Sequence, residues 1–205
     1  MSAELPLWNP SPEQKRNSGM AQFIQWMGSR TGRVFSSYDQ IHSYSVTEQD
    51  AFWDAIWDFC GAIGEKGTRI SENPGKMPGT RFFPDARINY ARNLMQETGS
   101  LDALVFHGED KVSTRMSHDG LHAMVSRLQQ AMLAAGVGKG DRVAAMIANM
   151  PEAIAGMLAA ASLGAIWSSC SPDFGARGVL DRFGQITPRV LLCADGYRYA
   201  GKEID

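Results

Sequence analysis

Apolar positions recur at helical spacing through the first hundred residues and give way to alternating strand and helix patterns in the second hundred. Ser11 followed by Pro12 opens a helix, with a hydroxyl cap and proline at the first helical position. Met20, Phe23, Ile24 and Met27 then share one face, and Gly32 lies beyond the end. Thr47 and Asp50 have the spacing of a capping box, with Asp in the place usually held by Glu. Behind them Phe52, Trp53, Ile56, Trp57 and Cys60 form an apolar stripe closed by Gly61. Residues 65–84, punctuated by Gly and Pro, read as a long surface excursion. Ile88, Ala91, Leu94 and Met95 mark another helix.

After residue 100 the period changes. Leu104–Phe106 and Val112–Met116 are two short strands joined by a turn at 108–111. Ser117 caps a long helix with the stripe Leu121, Met124, Val125, Leu128, Ala131 and Met132, and Gly136 ends it. Val143–Ala148 is a buried strand, Asn149 and Pro151 open a helix to about Leu163, and Ala165–Ser169 is the next strand. A helix over Ala176–Ile186 carries Val179, Leu180, Phe183 and Ile186 inward and stops at Pro188; Val190–Cys193 is the last strand. Strand, helix, strand, helix, strand at this spacing is βαβαβ, which implies a parallel sheet with right-handed crossovers.

Composition places this pattern in an ordinary globular protein. The 205 residues are 44% hydrophobic and 20% charged, with 20 Lys and Arg against 22 Asp and Glu. The near balance of charge gives no ground for a nucleic-acid or anionic-membrane partner. Cys60, Cys170 and Cys193 are odd in number, far apart and set among apolar neighbours, so they read as reduced core thiols in a cytoplasmic protein. The N-terminus lacks a basic segment followed by an apolar one, so no secretory signal is expected. The run 153–167 is too short for a membrane helix.

Chemical motifs are sparse. Gly136-Val137-Gly138-Lys139-Gly140 lacks the spacing of a phosphate loop and follows a helix instead of a strand, so it reads as a helix cap and tight turn. Asp173-Phe174-Gly175 spells a kinase tripeptide without its companion motifs. His118 and His122 are one turn apart with no further metal ligand at a suggestive spacing, and no metal site is assigned. Trp53 and Trp57 read as packing residues.

Longer stretches carry a resemblance. Leu7-Trp8-Asn9-Pro10, YDQIHSYSVTEQDAFWDAIWDFC at 38–60 and FFPDARINYARNLM at 82–95 resemble the N-terminal region of acetyl-CoA and acetoacetyl-CoA synthetases. Asp85 and Arg92 depart from that pattern, which more often has Gly and an acidic residue there. The segment SLGAIWSSCSPDFGARGVLDRFGQITPRVLLCADGYRYAGK at 162–202 resembles acetoacetyl-CoA synthetases, within the adenylate-forming acyl-CoA synthetase superfamily. The resemblance implies an α/β fold with a helical N-terminal section packed on a truncated parallel βαβαβ sheet. It implies an N-terminal region at 1–100 and, at 101–205, the incomplete start of the AMP-binding domain.

The implied reaction joins acetoacetate to CoA in two steps, with ATP and Mg2+ serving the first and CoA the second. The Ser/Thr/Gly-rich phosphate loop and the C-terminal lysine domain of such enzymes have no counterpart in 1–205, so no catalytic residue is assigned, and the chain alone is expected to be inactive and to bind none of ATP, CoA and Mg2+ with high affinity. The expected partners are acetoacetate, ATP, CoA and the remainder of the same enzyme. A ligase for another small carboxylic acid, or a non-catalytic CoA-binding or split-gene product, stays open. Tyr199, Ala200, Gly201 and Lys202 occupy the place where acetyl-CoA synthetases carry a CoA-contacting Arg-x-Gly-Arg segment; a solvated turn is the alternative. Pro172 and Asp173 follow the strand at 165–169. They either face a ligand at its carboxyl end or merely end the strand and cap the next helix.

Overall fold

The computed structural model describes residues 7–109 and 112–204, so Asp110 and Lys111 of the expected turn lie outside the described residues. The chain divides into two compact units, Met1–Arg87 and Ile88–Asp205.

The first unit is helical. Ser11 and Gln14 form a reciprocal capping box at the start of α1 (Pro12–Arg16). The single helix expected from Ser11 onward is in fact two. Asn17 leaves the helical path, and the extended Ser18 caps α2 (Gly19–Thr31) by accepting the Ala21 N–H. Ser37 caps α3 (Tyr38–Thr47), a helix not anticipated from periodicity. The expected capping box at Thr47 does not form. Thr47 is the last residue of α3 and its hydroxyl donates to the Ser43 carbonyl, so α4 (Gln49–Phe59) starts at Glu48 without a side-chain cap.

Phe23, Met27, Ile41, Tyr44 and Ala55 are the buried core of this unit. Phe52 and Phe59 meet the Phe23 ring edge-on, with centroids at 5.8 and 4.9 Å. On α4 only Ala55 is fully buried, while Trp53 and Cys60 are exposed and Trp57 is half-buried. The apolar stripe is thus a half-covered face. Its aromatic members continue onto the following loops, Trp53 against Phe82 and Trp57 against Phe83. Those loops hold β1 (Gly64–Glu65), the antiparallel pair β2 (Ser71–Glu72) and β3 (Arg81–Phe82), and β4 (Arg87–Ile88) at the unit boundary. A charge cluster joins α2, α4 and the first loop. Lys66 Nζ lies 2.6 Å from a carboxylate oxygen of both Asp54 and Asp58, and Arg30 spans the same two acids at 2.6 and 2.8 Å. The hydrogen bond from Lys66, opposed by desolvation and aided by Arg30, holds the Asp58 carboxyl below the usual carboxylate range.

In the second unit Asn89 caps α5 (Tyr90–Leu94) and its side-chain amide donates to the carbonyls of Ala161 and Ser162. Ile88, expected in this helix, is an exposed β4 residue, and Leu94 is exposed as well; Ala91 is the buried member. β5 (Asp102–Gly108) and β6 (Val112–Ser117) form an antiparallel hairpin. Ser117 accepts the Gly120 N–H at the head of α6 (His118–Ala134), and Gly136 follows its end with φ +77°.

The parallel sheet contains β7 (Arg142–Met146), β8 (Ile166–Cys170) and β9 (Val190–Cys193) in the order β8-β7-β9. β7 runs parallel to both neighbours, with Val143 opposite Trp167 and Val190. Helix α7 (Pro151–Ser162) links β7 to β8; a 3-10 turn (Pro172–Phe174) and α8 (Gly175–Phe183) link β8 to β9. On one face Val143, Trp167, Val190 and Leu192 meet Leu121, Val125, Ala155 and Leu158 of α6 and α7. On the other, Ala144 and Cys170 meet Val179 and Phe183 of α8.

Three expectations change here. Leu180 is 71% exposed, because Val179 and Phe183, one turn apart, already define the inward line of α8. That helix ends at Gly184, before Pro188 is reached. Cys60 and Cys193 are exposed, and only Cys170 is a buried thiol; all three are free. The glycine-rich segment at 136–140 behaves as a cap and turn, with Gly138 N–H donating to Asp141 at 2.9 Å.

Gly156 lets the Trp167 indole lie against α7, since a Cβ there would sit 2.7 Å from Trp167 Cη2. Alanine gains about 1 kcal/mol of helix propensity, but overpacking costs about 1–3 kcal/mol. Gly156→Ala should therefore lower the urea midpoint; an unchanged or higher midpoint would show that the indole can move aside. For the charge cluster, Lys66→Met should raise the Asp58 pKa in a carbon-detected NMR titration. The sign follows from linkage. Asp58 contributes stability above its unfolded value of 3.8 and loses it as pH falls through the lower folded value, so the variant should lose stability at neutral pH.

Candidate functional site

The 3-10 turn leaves the carboxyl end of β8, the end of a parallel strand where ligands gather in open α/β sheets. Ser171 Oγ accepts the Asp173 N–H at 3.4 Å and lies 2.9 Å from Asp173 Oδ2, to which it donates. The capping geometry is therefore present. The other carboxylate oxygen, Asp173 Oδ1, accepts the Tyr197 phenol O–H at 3.2 Å. Pro172 is half-buried and Asp173 exposed. Phe174 is also exposed, with the Arg182 guanidinium 4.0 Å above its ring.

Tyr197 belongs to a hairpin that periodicity did not reveal. β10 (Tyr197–Tyr199) and β11 (Lys202–Ile204) pair antiparallel, with Tyr199 opposite Lys202. Ala200 and Gly201 form the two-residue connection at φ +51° and +74°, positive at both positions as a type I′ turn requires. Arg198 pairs with Glu203 across the strands. Tyr199 is 58% exposed and Lys202 is exposed, with no hydrogen-bond or ion-pair partner for the Lys202 ammonium among the described residues. The N–H groups of Ala200 and Gly201 donate to Glu109, at 2.7 and 3.0 Å.

Of the six residues singled out in the sequence, four form the tip of this hairpin, and Asp173 is tied to its base through Tyr197. Tyr197 and Glu109 were not singled out. Both act across long sequence separations, which leave no periodic signal. Desolvation raises the Tyr197 phenol above its usual range, and the hydrogen bond to Asp173 pushes the same way.

Beside the hairpin, α6 and the carboxyl ends of β7 and β9 enclose a largely apolar cleft of about 600 Å³, lined by Met124, Leu128, Ile147, Met150, Leu192 and Asp195. Ala131 also lines it and is exposed there, contrary to the expected inward stripe. His122 Nε2 lies 3.0 Å from the Glu97 carbonyl, and no group of three His, Cys, Asp or Glu side chains suited to a metal is found among the described residues.

Residues 92–204 match the AMP-binding enzyme family, and the chain belongs to it. Over all 205 residues it is 58% identical to acetoacetyl-coenzyme A synthetase from Rhizobium meliloti (strain 1021), of which it spans 32%. It is 33% identical over 204 residues to malonamoyl-CoA synthetase vrtB from Penicillium aethiopicum, covering 96% of this chain and 28% of that one. The solved acetoacetyl-CoA synthetase from Streptomyces lividans superposes with a TM-score of 0.88 at 36% identity, over 98% of this chain and 32% of that chain. The chain thus spans about a third of the length of the relatives it matches.

The Asp173–Tyr197 contact can be tested by titration. Asp173→Asn should lower the Tyr197 pKa without restoring it fully, because desolvation remains the larger cause. Tyrosine ring NMR across alkaline pH measures this. An unchanged value would remove the proposed tie between the turn and the hairpin.

Proposed function

We propose that this chain is the N-terminal portion of a cytoplasmic, ATP-dependent acetoacetate–CoA ligase. The observation that carries the reading is the 58% identity to an acetoacetyl-coenzyme A synthetase across the whole chain. In this reaction the acetoacetate carboxylate attacks the α-phosphate of ATP, giving the acyl-adenylate and pyrophosphate. The CoA thiol then attacks the acyl carbon and AMP leaves, giving acetoacetyl-CoA.

The reading assigns this chain a part of the second step. Tyr199, Ala200, Gly201 and Lys202 receive CoA, and Pro172 and Asp173 face it from the end of β8, Asp173 being tied to the hairpin through Tyr197. Lys202 offers a point charge to a phosphate, without the bidentate fork that arginine would supply. The exposed Tyr199 ring, opposite Lys202, is available to stack on adenine. Asp173 acts through Tyr197, since both of its oxygens are engaged within the chain. Mg2+ accompanies the nucleotide in this reading, and none of its ligands is assigned to these residues. No described helix is long and apolar enough to cross a membrane.

A ligase for another small acid is the second reading, favoured by the 33% identity to malonamoyl-CoA synthetase over nearly the same span. Rates with a panel of short 3-substituted acids separate the two.

In the full-length enzyme, Lys202→Ala should raise the KM for CoA about tenfold to a hundredfold. A hydrogen bond to a charged group contributes about 1.5–3 kcal/mol, and each tenfold corresponds to about 1.4 kcal/mol. The loss should fall on thioester formation, because CoA enters only then. Acetoacetate-dependent exchange of pyrophosphate into ATP reports the first step separately. An unchanged CoA constant, or equal losses in both half-reactions, would make Lys202 a structural residue.

A further inference from the structure

Glu109 stands at the tip of the β5–β6 hairpin with φ +49°, exposed to solvent. Its two carboxylate oxygens divide the amides of the other hairpin tip, Oε1 accepting from Ala200 at 2.7 Å and Oε2 from Gly201 at 3.0 Å. Two adjacent N–H groups aimed at one anion make a main-chain fork, comparable in its donors to a guanidinium and equally suited to a phosphate. Lys202, the next residue, has an ammonium with no partner among the described residues.

Glu109 fills the two amides but makes no ion pair with Lys202 among the described residues. A phosphate monoester carries nearly two charges and three terminal oxygens, enough for both amides and the ammonium together. Each phosphorus of the CoA diphosphate bridge has only two free oxygens and one charge, so the 3′-phosphate is the better match. We infer that Glu109 is a built-in competitor that holds the hairpin amides in the free chain and is displaced by the 3′-phosphate of CoA. The inference rests on the CoA reading of residues 199–202. Glu109 has no ion-pair partner of its own among the described residues, so only the two amide bonds restrain it. A competitor of this kind weakens apparent ligand affinity by the fraction of time it occupies the site.

The test uses the full-length enzyme, labelled with nitrogen-15 at alanine and glycine, as wild type, Glu109→Gln and Glu109→Ala. CoA should move the Ala200 and Gly201 amide resonances. The apparent Kd should fall roughly threefold to thirtyfold from wild type to Glu109→Ala. Glu109→Gln should lie between, since its amide oxygen can still accept one bond. The gain should vanish with 3′-dephospho-CoA. A response to CoA seen only in the two variants would also support the competitor. Unaltered or weaker CoA binding in both variants, with the wild-type hairpin still responding, would overturn the competitor and leave the CoA reading standing. An equal gain with 3′-dephospho-CoA would overturn the assignment to the 3′-phosphate. No response of the hairpin to CoA in any of the three proteins would overturn the CoA reading itself, and the competitor with it.

Discussion

Burial of β7 on both faces is the constraint on which the second unit depends. Val143, Ala144 and Ala145 are each fully buried, with α6 and α7 on one side and α8 on the other. A strand in that position cannot alternate apolar with polar residues, and its run of small and branched side chains follows from this. Parallel pairing with β8 and β9 sets the carboxyl ends of all three strands at one edge. The 3-10 turn after β8 and the hairpin after β9 emerge at that edge, which is why residues 173 and 197 can meet. Close packing carries the same requirement outward, since Gly156 is needed where Trp167 of β8 lies against α7.

The parts most legible in the sequence were those set by local rules. Ser11 and Ser117 announce their helices because each hydroxyl satisfies an N–H three residues on. The parallel strands show because double burial leaves short apolar runs between helical stripes. Where two local rules compete, sequence reading falters. Thr47 has the residue type of an N-cap, but in a helix its hydroxyl can also bond backward, and here it serves α3. Leu180 lies one residue from the inward line of α8, and an apolar residue there is as compatible with exposure as with burial.

The candidate site was only half visible, for a different physical reason. Tyr199 through Lys202 stand out by resemblance, yet their turn lacks the Asn-Gly or Asp-Gly pair that usually signals a type I′ hairpin. Ala200 adopts φ +51°, unusual for a residue with a Cβ. It does so with its N–H bonded to a residue 91 positions earlier. No window of sequence contains both partners. The same holds for Tyr197 and Asp173, 24 positions apart and joined only because the sheet aligns the strand ends.

Two carboxylates in this unit accept main-chain N–H groups in opposite settings. Asp141 precedes β7 at the amino end of the sheet. It accepts the Gly138 N–H and pairs with Arg189, and the amide bond, opposed by desolvation and aided by that cation, holds its carboxyl below the usual range. The guanidinium locks the acid to the turn it serves. Glu109 also accepts main-chain N–H groups, but at the carboxyl edge, from an exposed hairpin tip and with no cation beside it among the described residues. Lys202 follows the two amides in sequence, and its ammonium has no ion-pair partner among the described residues. Asp141 thus has a counter-charge in its own cluster, whereas Glu109 has none among the described residues. A carboxylate with a guanidinium beside it, as Asp141 has in Arg189, is held to its turn by charge as well as by an amide, whereas Glu109 is held among the described residues by main-chain amides alone.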